Sequence, residues 1–197
     1  MATAPLAVRD WSMARASVLW TIGHSTRSFE ELLTLLNAYG IQRLVDVRTV
    51  PRSRHNPQFN TDRLSTDLHD AGLAYRHMRR LGGLRKAKKD SINTGWRNAS
   101  FRGYADYMQT EEFQEGLEEL MQYGKGAHTA IMCAEAVPWR CHRSLIADAL
   151  LVKGWTVRHI LSSSKCDEHR LTSFAVIDDD TVIYPPASDP DRPLSLF

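Results

Sequence analysis

Short apolar runs alternate with amphipathic stretches over most of the chain, which is typical of a fold that alternates strands and helices. The run Val18–Ile22 predicts a strand. Ser28 and Glu31 form a Ser-x-x-Glu capping box, and the following helix keeps its apolar residues on one face until Gly40. Residues 41–47 predict a second strand. A strand, a helix and a strand within about 30 residues make a βαβ crossover unit.

The same order of elements returns in the second half of the chain. Residues 128–133 predict a strand, residues 141–153 an amphipathic helix, and residues 155–161 a further strand. A second βαβ unit predicts an open, mostly parallel sheet with helices on both faces. The sequence therefore predicts an α/β fold, with a Rossmann-like, three-layer arrangement in a single domain.

The segment between these two units is less regular. Residues 60–71 predict a helix, residues 73–77 a short strand, and residues 104–123 one long helix. Residues 79–101 are polar, basic and contain several glycines, so they predict a functional loop or a lid. Near the end of the chain, residues 173–184 predict a hairpin that is interrupted by three aspartates.

Length and composition limit the class of protein. The chain has 197 residues, of which 43% are hydrophobic and 24% charged, enough for one domain with a full core. We expect a loose arm over residues 1–17, one α/β domain over residues 18–184 and a tail over residues 185–197. No apolar run approaches the roughly 18 residues that span a membrane, and no secretory signal is recognisable. These features predict a cytoplasmic protein without a membrane partner.

The net charge of +2 hides a strong asymmetry. Residues 43–102 hold 14 Lys and Arg against 5 Asp and Glu, a net charge of +9, while the rest of the chain carries −7. A basic middle segment predicts an anionic partner, either a small phosphate-bearing molecule or a nucleic acid. The alternative is a charged loop that is simply solvated.

Polar side chains follow several predicted strands, and open parallel sheets bind ligands at the carboxyl ends of their strands. The candidate catalytic residues at this edge are His24, Asp46, Cys133 and Glu135. The candidate substrate-binding residues are Ser25, Arg48, Arg140, His142 and Arg143. Separate segments thus bring a thiol, imidazoles, carboxylates and guanidinium groups to one edge of the sheet.

The residue types suggest individual roles. His24 is a candidate general base, since a neutral imidazole can take up a proton. Asp46 and Arg48 share one face of their strand, where Arg48 either binds an anion in a bidentate fork or forms a structural ion pair with Asp46. Cys133 precedes a loop that ends in the helix beginning at Cys141. The partial positive charge of that helix start predicts a lowered pKa for the Cys133 thiol.

The cysteines and histidines also offer the donor types of a transition-metal site. Cys133, Cys141 and His142, with His24 as a fourth donor, would supply two sulfur and two nitrogen atoms. The spacing of the cysteines is not that of a zinc finger, and adjacent helical residues point about 100° apart. On these grounds the sequence assigns no metal ligand and names no cofactor.

Short motifs occur in a fixed order between Trp20 and Ile160. They are Thr21-Ile22-Gly23-His24-Ser25, Val45-Asp46-Val47-Arg48 with Pro51 and Ser53, Leu81-Gly82-Gly83, Phe101-Arg102-Gly103-Tyr104-Ala105, Cys133-Ala134-Glu135, Cys141-His142-Arg143 and Val157-Arg158-His159-Ile160. Together they resemble the family called domain of unknown function 488. The resemblance implies a single α/β domain of prokaryotic origin, and it implies no particular activity.

The group of side chains at the sheet edge favours an enzyme that acts on a phosphate-bearing substrate, a nucleotide or a nucleic acid. Two alternatives stay open. The basic loop, with Trp96, Phe101 and Tyr104, mixes cations and aromatics as in modules that bind single-stranded nucleic acid without catalysis. The cysteines alternatively favour a metal-binding or thiol redox-sensing regulator. No feature of the sequence selects a substrate, a reaction or an oligomeric state.

Overall fold

A six-stranded sheet forms the centre of the protein, whose computed structural model describes residues 17–187. The strands are β1 (Val18–Gly23), β2 (Arg43–Asp46), β3 (Ala74–His77), β4 (Thr129–Cys133), β5 (Thr156–Ile160) and β6 (Cys166–Glu168). They lie in the order β3-β2-β4-β1-β5-β6. The first five run parallel to one another, whereas β6 is antiparallel to β5. A separate antiparallel pair consists of β7 (Val176–Asp178) and β8 (Thr181–Ile183).

Helices cover both faces of this sheet. The α-helices of the described residues are α1 (Phe29–Ala38), α2 (Thr61–Asp70), α3 (Ala99–Met108), α4 (Glu111–Gly124) and α5 (Arg143–Val152). Helices α1 and α2 share one hydrophobic core with the sheet, and α3, α4 and α5 share the other. None of these helices has both the length and the apolar character that crossing a membrane requires. The predicted α/β fold, with an open and mostly parallel sheet between helices, is confirmed.

The central strands are apolar along most of their length because both faces are covered. Leu44 of β2 and Met132 of β4 belong to the core that contains α1 and α2. Val45 and Ile131, their neighbours in sequence, belong to the opposite core. Because successive side chains of a strand point to opposite faces, double coverage requires apolar residues at consecutive positions. Asp46, the last residue of β2, is by contrast polar and lies at the carboxyl edge of the sheet.

Helix α1 begins where the sequence predicts it. The Ser28 hydroxyl accepts a hydrogen bond from the backbone N–H of Glu31 at 3.2 Å, and the Glu31 carboxylate accepts one from the backbone N–H of Ser28 at 2.7 Å. This reciprocal capping box satisfies two N–H groups at the helix start. The predictions of β1 to β5, of α2 and of the hairpin are also confirmed, with differences at their ends.

The prediction of one helix over residues 104–123 is wrong, because helix α3 ends at Met108 and a separate helix, α4, begins at Glu111. Thr110 takes an extended conformation there, and its hydroxyl accepts a hydrogen bond from the backbone N–H of Phe113. Helix α3 also starts earlier than predicted, because Asn98 caps it by accepting from the backbone N–H of Ser100 at 2.8 Å. The apolar pattern continues across both helices and so conceals the boundary.

Two further elements differ from the prediction. Helix α5 begins at Arg143 rather than at Cys141, because Cys141 is extended, with φ −139° and ψ 145°. Strand β6 is absent from the prediction, since its three residues are mostly polar and carry no apolar pattern. The predicted arm and tail lie almost entirely outside the described residues 17–187.

Candidate functional site

A cleft of about 370 Å³ lies at the carboxyl edge of the sheet, where β2 and β4 end. Three segments line it: the residues after β2, the basic loop with the start of α3, and the loop between β4 and α5. Of the predicted site residues, those that line the cleft are Arg48, Cys133, Glu135, Arg140 and His142. Cys141 lines it as well. The sheet-edge rule therefore places about half of the predicted residues around one opening.

Cys133, Cys141 and His142 converge at this cleft. The Nδ1 atom of His142 lies 3.7 Å from Sγ of Cys141 and 4.0 Å from Sγ of Cys133. The two sulfurs and this nitrogen all lie within 4.8 Å of one another. The expectation that Cys141 and His142 point apart is wrong, because Cys141 is extended and precedes the helix. These three side chains are called the Cys-Cys-His cluster below.

The orientation of the His142 ring is set by the end of β2. Its Nε2 atom lies 3.0 Å from the backbone carbonyl oxygen of Val47, an acceptor, so Nε2 carries a proton and donates. Nδ1 therefore faces both sulfurs. Gly83 of the basic loop allows this position, since a Cβ atom there would lie 2.4 Å from Nδ1. A loop glycine and a strand carbonyl thus hold the ring from two sides.

The two thiols of the cluster differ in acidity. The neighbouring Cys141 sulfur, together with burial, raises the pKa of the Cys133 thiol well above its usual range. The neighbouring Cys133 thiol and the charge of Arg143 lower the pKa of the Cys141 thiol well below its usual range, against the opposing effect of burial. The prediction of a lowered pKa for Cys133 is therefore wrong. These directions favour Cys141 as the more acidic of the two thiols, and the hydrogen bond that Arg143 Nε donates to its sulfur acts in the same direction.

Arg143 supports this arrangement from beneath the cleft. Its guanidinium is almost fully buried, and its Nε donates to Sγ of Cys141 at 3.4 Å. One terminal nitrogen donates to the Thr21 hydroxyl at 3.4 Å, and the other donates to the backbone carbonyl of Glu135. All three nitrogen atoms of the guanidinium therefore donate hydrogen bonds within the protein. Arg143 was predicted to bind substrate, but the structure places it where it positions Cys141.

Asp46 and Arg48 form a buried ion pair. The Asp46 carboxylate accepts hydrogen bonds from Arg48 Nε at 2.9 Å and from the Tyr75 hydroxyl at 2.9 Å. Burial disfavours the charged form of Arg48, but the hydrogen bonds and the charge of Asp46 outweigh it and raise the arginine pKa. The Asp46 side chain is fully buried. Of the two predicted possibilities, the structural ion pair is the one that the structure contains.

His24 lies behind Arg48 and not in the cleft. Its Nδ1 lies 2.8 Å from the carbonyl oxygen of Ser25, and its Nε2 lies 3.2 Å from Nη1 of Arg48. Burial, with the charge of Arg48, lowers its pKa to about 4 against the opposing hydrogen bond to Ser25. Because both ring nitrogens are engaged and the ring is 2% exposed, His24 is not placed as a fourth metal donor or as a general base in the cleft.

The loop between β4 and α5 carries the remaining predicted residues. The side chains of Glu135 and Arg140 line the cleft. The loop passes directly over Gly23 at the end of β1, where a Cβ atom would lie 1.8 Å from the carbonyl oxygen of Glu135. Ser25 donates its backbone N–H to Ala134 at 2.9 Å and lies outside the cleft lining. Gly23 is therefore required for the close approach that brings Glu135 to the site.

A network of hydrogen-bonded polar side chains extends from the cluster into the protein. The sequence analysis did not predict it. The Thr21 hydroxyl lies 2.8 Å from Nδ1 of His159, and Nε2 of His159 lies 2.9 Å from Nδ1 of His169. Nε2 of His169 in turn lies 2.9 Å from the Asp148 carboxylate. Burial, with the charge of nearby His169, lowers the pKa of His159 to about 3. These partners are distant in sequence, and of them only Thr21 and His159 stand in the motifs that the sequence analysis quotes.

The two histidines also border a cavity of about 470 Å³ on the other side of the β4–α5 loop. Trp139, 64% exposed on that loop, stands at its rim. This network of hydrogen-bonded side chains therefore extends from Arg143, beside the cluster, to the lining of the second cavity. The Tyr184 and Thr172 hydroxyls donate to Asp148 at 2.8 and 2.7 Å. They fix the end of this network that lies farthest from the cluster.

The basic loop is held in place beside the cleft. The Asp106 carboxylate of α3 accepts hydrogen bonds from the backbone N–H of Lys88 at 2.8 Å, from the Ser91 hydroxyl at 2.6 Å and from the Asn93 amide at 2.9 Å. Gly83 and Leu84 of the loop line the cleft. The loop therefore forms one wall of the cleft and is held there by hydrogen bonds to Asp106.

The aromatic residues of this region are used for packing. Tyr104 is fully buried, and its hydroxyl donates to the carbonyl of Leu81 at 2.9 Å. Trp96 packs on Phe101 with the ring centroids 4.8 Å apart, and both contact the core of α3, α4 and α5. The expectation that these three rings serve as a stacking platform for bases is not supported, because two of them are half-buried and one is inside the core.

Comparison with known families gives one match. The family model described as "Domain of unknown function DUF488" matches residues 28–150, well over half of the chain. The chain therefore belongs to the DUF488 family, as the motifs in its sequence predict. Neither the curated proteins nor the solved structures contain a match to the chain.

Proposed function

We propose that this DUF488-family protein is an enzyme that acts on a phosphate-bearing substrate, a nucleotide or a nucleic acid, in the cleft at the carboxyl edge of the sheet. The observation that carries the proposal is the convergence of Cys133, Cys141 and His142 within 4.8 Å of one another in the lining of an open cleft. Both thiols pack in the core of α3, α4 and α5, but packing alone does not require both sulfurs to lie beside Nδ1 of His142, or Sγ of Cys141 to accept a hydrogen bond from Arg143.

Within this proposal the Cys-Cys-His cluster is the reactive centre. Glu135 lines the same cleft and supplies a carboxylate that can accept or return a proton. Arg140 is exposed on the cleft wall, so its guanidinium is available for bidentate recognition of a phosphate. The buried residues Asp46 and Arg48 act as positioning residues, because their hydrogen bonds are satisfied inside the protein.

A phosphate-bearing substrate is supported by the charge around the opening. Thr49 and Leu84 line both the cleft and a neighbouring groove of about 390 Å³. That groove is also lined by Arg79, Arg80, Arg85 and Glu112, three positively charged side chains against one negatively charged one. A substrate with several phosphates, or a strand of nucleic acid, could therefore place one phosphate near Arg140 and others along the groove. The net charge of +9 over residues 43–102 favours such a ligand over a neutral one.

A second candidate function, binding of nucleic acid without catalysis, is favoured by one specific feature of the basic loop. Lys86, Lys88 and Lys89 are exposed, and none of them forms an ion pair with the described part of the chain. Exposed lysines without acidic partners contact the phosphate backbone regardless of base sequence. In that case the loop would bind the polyanion and the Cys-Cys-His cluster would play no part in it.

Calorimetric titration with a nucleoside monophosphate, a nucleoside triphosphate and a short oligonucleotide tests the proposal at low ionic strength. We expect Arg140→Gln to weaken binding about tenfold, as loss of a charge-assisted hydrogen bond does. The matched control is Arg63→Gln, which alters an exposed arginine of α2. Chromatography of each probe after incubation should show a chemical change that Cys133→Ser abolishes and Cys166→Ser leaves intact. A panel that neither binds nor changes contradicts the proposal.

A further inference from the structure

The donor atoms of the Cys-Cys-His cluster already have the spacing of ligands around one ion. Tetrahedral zinc, with Zn–S of about 2.3 Å and Zn–N of about 2.0–2.1 Å, holds its nitrogen and sulfur ligands roughly 3.6 Å apart. In the structure, Nδ1 of His142 lies 3.7 Å from Sγ of Cys141 and 4.0 Å from Sγ of Cys133. Closing around an ion would therefore change the two nitrogen–sulfur distances by only a few tenths of an ångström, while the two sulfurs, which lie within 4.8 Å of each other, would come to about 3.8 Å. Packing alone does not demand this spacing.

The His142 ring is also prepared as a ligand. A histidine that binds a metal through one nitrogen usually donates the other N–H to a backbone carbonyl or carboxylate, which fixes the tautomer. Nε2 of His142 lies 3.0 Å from the carbonyl oxygen of Val47, so Nδ1 is the nitrogen available for an ion. Gly83 leaves room for the ring at the point where a side chain would collide with Nδ1.

We propose that Cys133, Cys141 and His142 together bind one thiophilic divalent cation, for which Zn²⁺ is the best match. This inference rests on the proposed function, since it identifies the group that would act on the substrate in that cleft. Two thiolates and an imidazole favour Zn²⁺ over Mg²⁺ or Ca²⁺, which prefer oxygen donors. Among the described residues 17–187, no other three His, Cys, Asp or Glu side chains converge in this way.

The surroundings of the sulfurs fit a bound cation. Binding of a divalent cation would release the proton of the Cys133 thiol, and the cation would neutralise the charge of the two buried thiolates that result. Arg143 donates to Sγ of Cys141 at 3.4 Å, as hydrogen bonds from outside the coordination sphere do at thiolate ligands. His24 is excluded as a ligand because both of its nitrogens are engaged elsewhere.

Three protein ligands leave the fourth tetrahedral position open. All three line the cleft, so the open position faces the space that the substrate would enter. Closed sites with four protein ligands are typical of structural zinc, whereas three ligands and one open position are typical of catalytic zinc. The cluster is therefore assigned a catalytic and not a purely structural ion.

The test is a titration of the full chain, reduced and stripped of metal, with Co²⁺ as a spectroscopic probe, followed by displacement with Zn²⁺. We expect one equivalent of Co²⁺ to bind with the thiolate charge-transfer absorption and intense visible bands of a tetrahedral sulfur-ligated ion. Cys133→Ser, Cys141→Ser and His142→Gln should each lower the affinity for Co²⁺ by at least tenfold, and by as much as 100-fold. Cys166→Ser is the matched control, because Cys166 lies in β6 outside the cluster, and it should bind Co²⁺ as the wild type does.

A measurement without substitutions covers the case in which a variant does not fold. In the wild-type chain, one equivalent of Zn²⁺ should protect Cys133 and Cys141 from alkylation and leave the rate at Cys166 unchanged. Reduced protein that binds no ion, an ion without thiolate bands, or protection of all three cysteines alike would overturn the inference.

The phosphate titration described for the proposed function, run in parallel, separates the two failures. If the probes bind in an Arg140-dependent manner and are chemically changed but no ion binds, the metal inference fails and the proposed function stands. If one Zn²⁺ binds to the cluster but no phosphate-bearing probe binds or changes, the metal site stands and the proposed function fails.

Discussion

The Nε2 atom of His142 donates to the backbone carbonyl of Val47 over 3.0 Å, and this bond joins the start of α5 to the end of β2. It turns the other ring nitrogen toward the sulfurs of Cys133 and Cys141. Because the acceptor is a main-chain atom, the orientation depends on the register of the sheet and not on a side chain that a substitution could remove. The candidate site is thus anchored to the main chain at the edge of the central sheet.

Gly83→Ala should damage the cluster while leaving the fold intact. The new Cβ atom would lie 2.4 Å from Nδ1 of His142, so the ring must move away from the sulfurs. We expect Co²⁺ affinity to fall about tenfold or more, as a change in ligand orientation does. Gly72→Ala is the control, since nothing lies within 4 Å of its Cβ position, and only its positive φ of +79° is strained. Equal Co²⁺ affinity in both variants would mean that Gly83 does not control the His142 ring.

Asp46→Asn should destabilise the protein strongly. The substitution leaves the buried Arg48 guanidinium without its counter-charge, which typically costs about 3–5 kcal/mol. Asp67→Asn is a matched control, because Asp67 pairs with Arg63 on the exposed surface of α2, where such pairs contribute about 0–1 kcal/mol. Urea unfolding monitored by fluorescence measures both. A similar small loss in the two variants would contradict the structural role assigned to the buried pair.

Stability should fall as the pH is lowered below about 6.5, the ordinary histidine value. His159 has a folded-state pKa of about 3, so the unfolded chain binds a proton that the folded protein excludes. Its contribution is fully present above pH 6.5, is reduced by about 2 kcal/mol at pH 5 and is lost near pH 3. His24, with a folded-state pKa of about 4, acts in the same direction.

Urea unfolding at pH 7.5 and pH 5.0 measures this difference. His159→Gln should show a smaller difference between the two pH values than the wild type does, because it removes one of the two buried histidines responsible. His69→Gln, which alters an exposed histidine of α2, should keep the wild-type difference. An unchanged difference in His159→Gln would show that other groups determine the acid sensitivity.

The basic loop should bind polyanions with a strong dependence on salt. Replacing Lys86, Lys88 and Lys89 together with Ala should weaken binding of short oligonucleotides of any sequence, and each lost phosphate contact should reduce the slope of log affinity against log salt by about 1. The control replaces Lys125 and Lys165, which are exposed elsewhere. Fluorescence anisotropy at two salt concentrations distinguishes them. No binding at low salt would remove nucleic acid from the possible partners of the loop.

The fold was largely predictable because its signals are local. The capping box of Ser28 and Glu31 and the apolar runs of the parallel strands each lie within a few consecutive residues. The break at Thr110 was not predictable from the apolar pattern, because that pattern continues through both α3 and α4. Strand β6 was missed because it depends on pairing with β5 rather than on its own residues.

The candidate site was predictable only in part, for a related reason. The rule that ligands bind at the carboxyl ends of strands correctly brings Cys133, Glu135 and His142 to one cleft. The rule does not reveal which polar side chains already have hydrogen-bond partners inside the protein. His24 and Arg143 prove to have such partners. That distinction depends on contacts between residues far apart in the chain, which no local pattern records.

The most direct test of the central claim, that Cys133, Cys141 and His142 bind one metal ion in the cleft, is X-ray absorption at the zinc edge. The sample is the reduced full chain loaded with one equivalent of Zn²⁺. The structure predicts two sulfur ligands at about 2.3 Å, with one nitrogen and one further light atom at about 2.0–2.1 Å. A first shell that contains only nitrogen and oxygen, or only one sulfur, would contradict the claim.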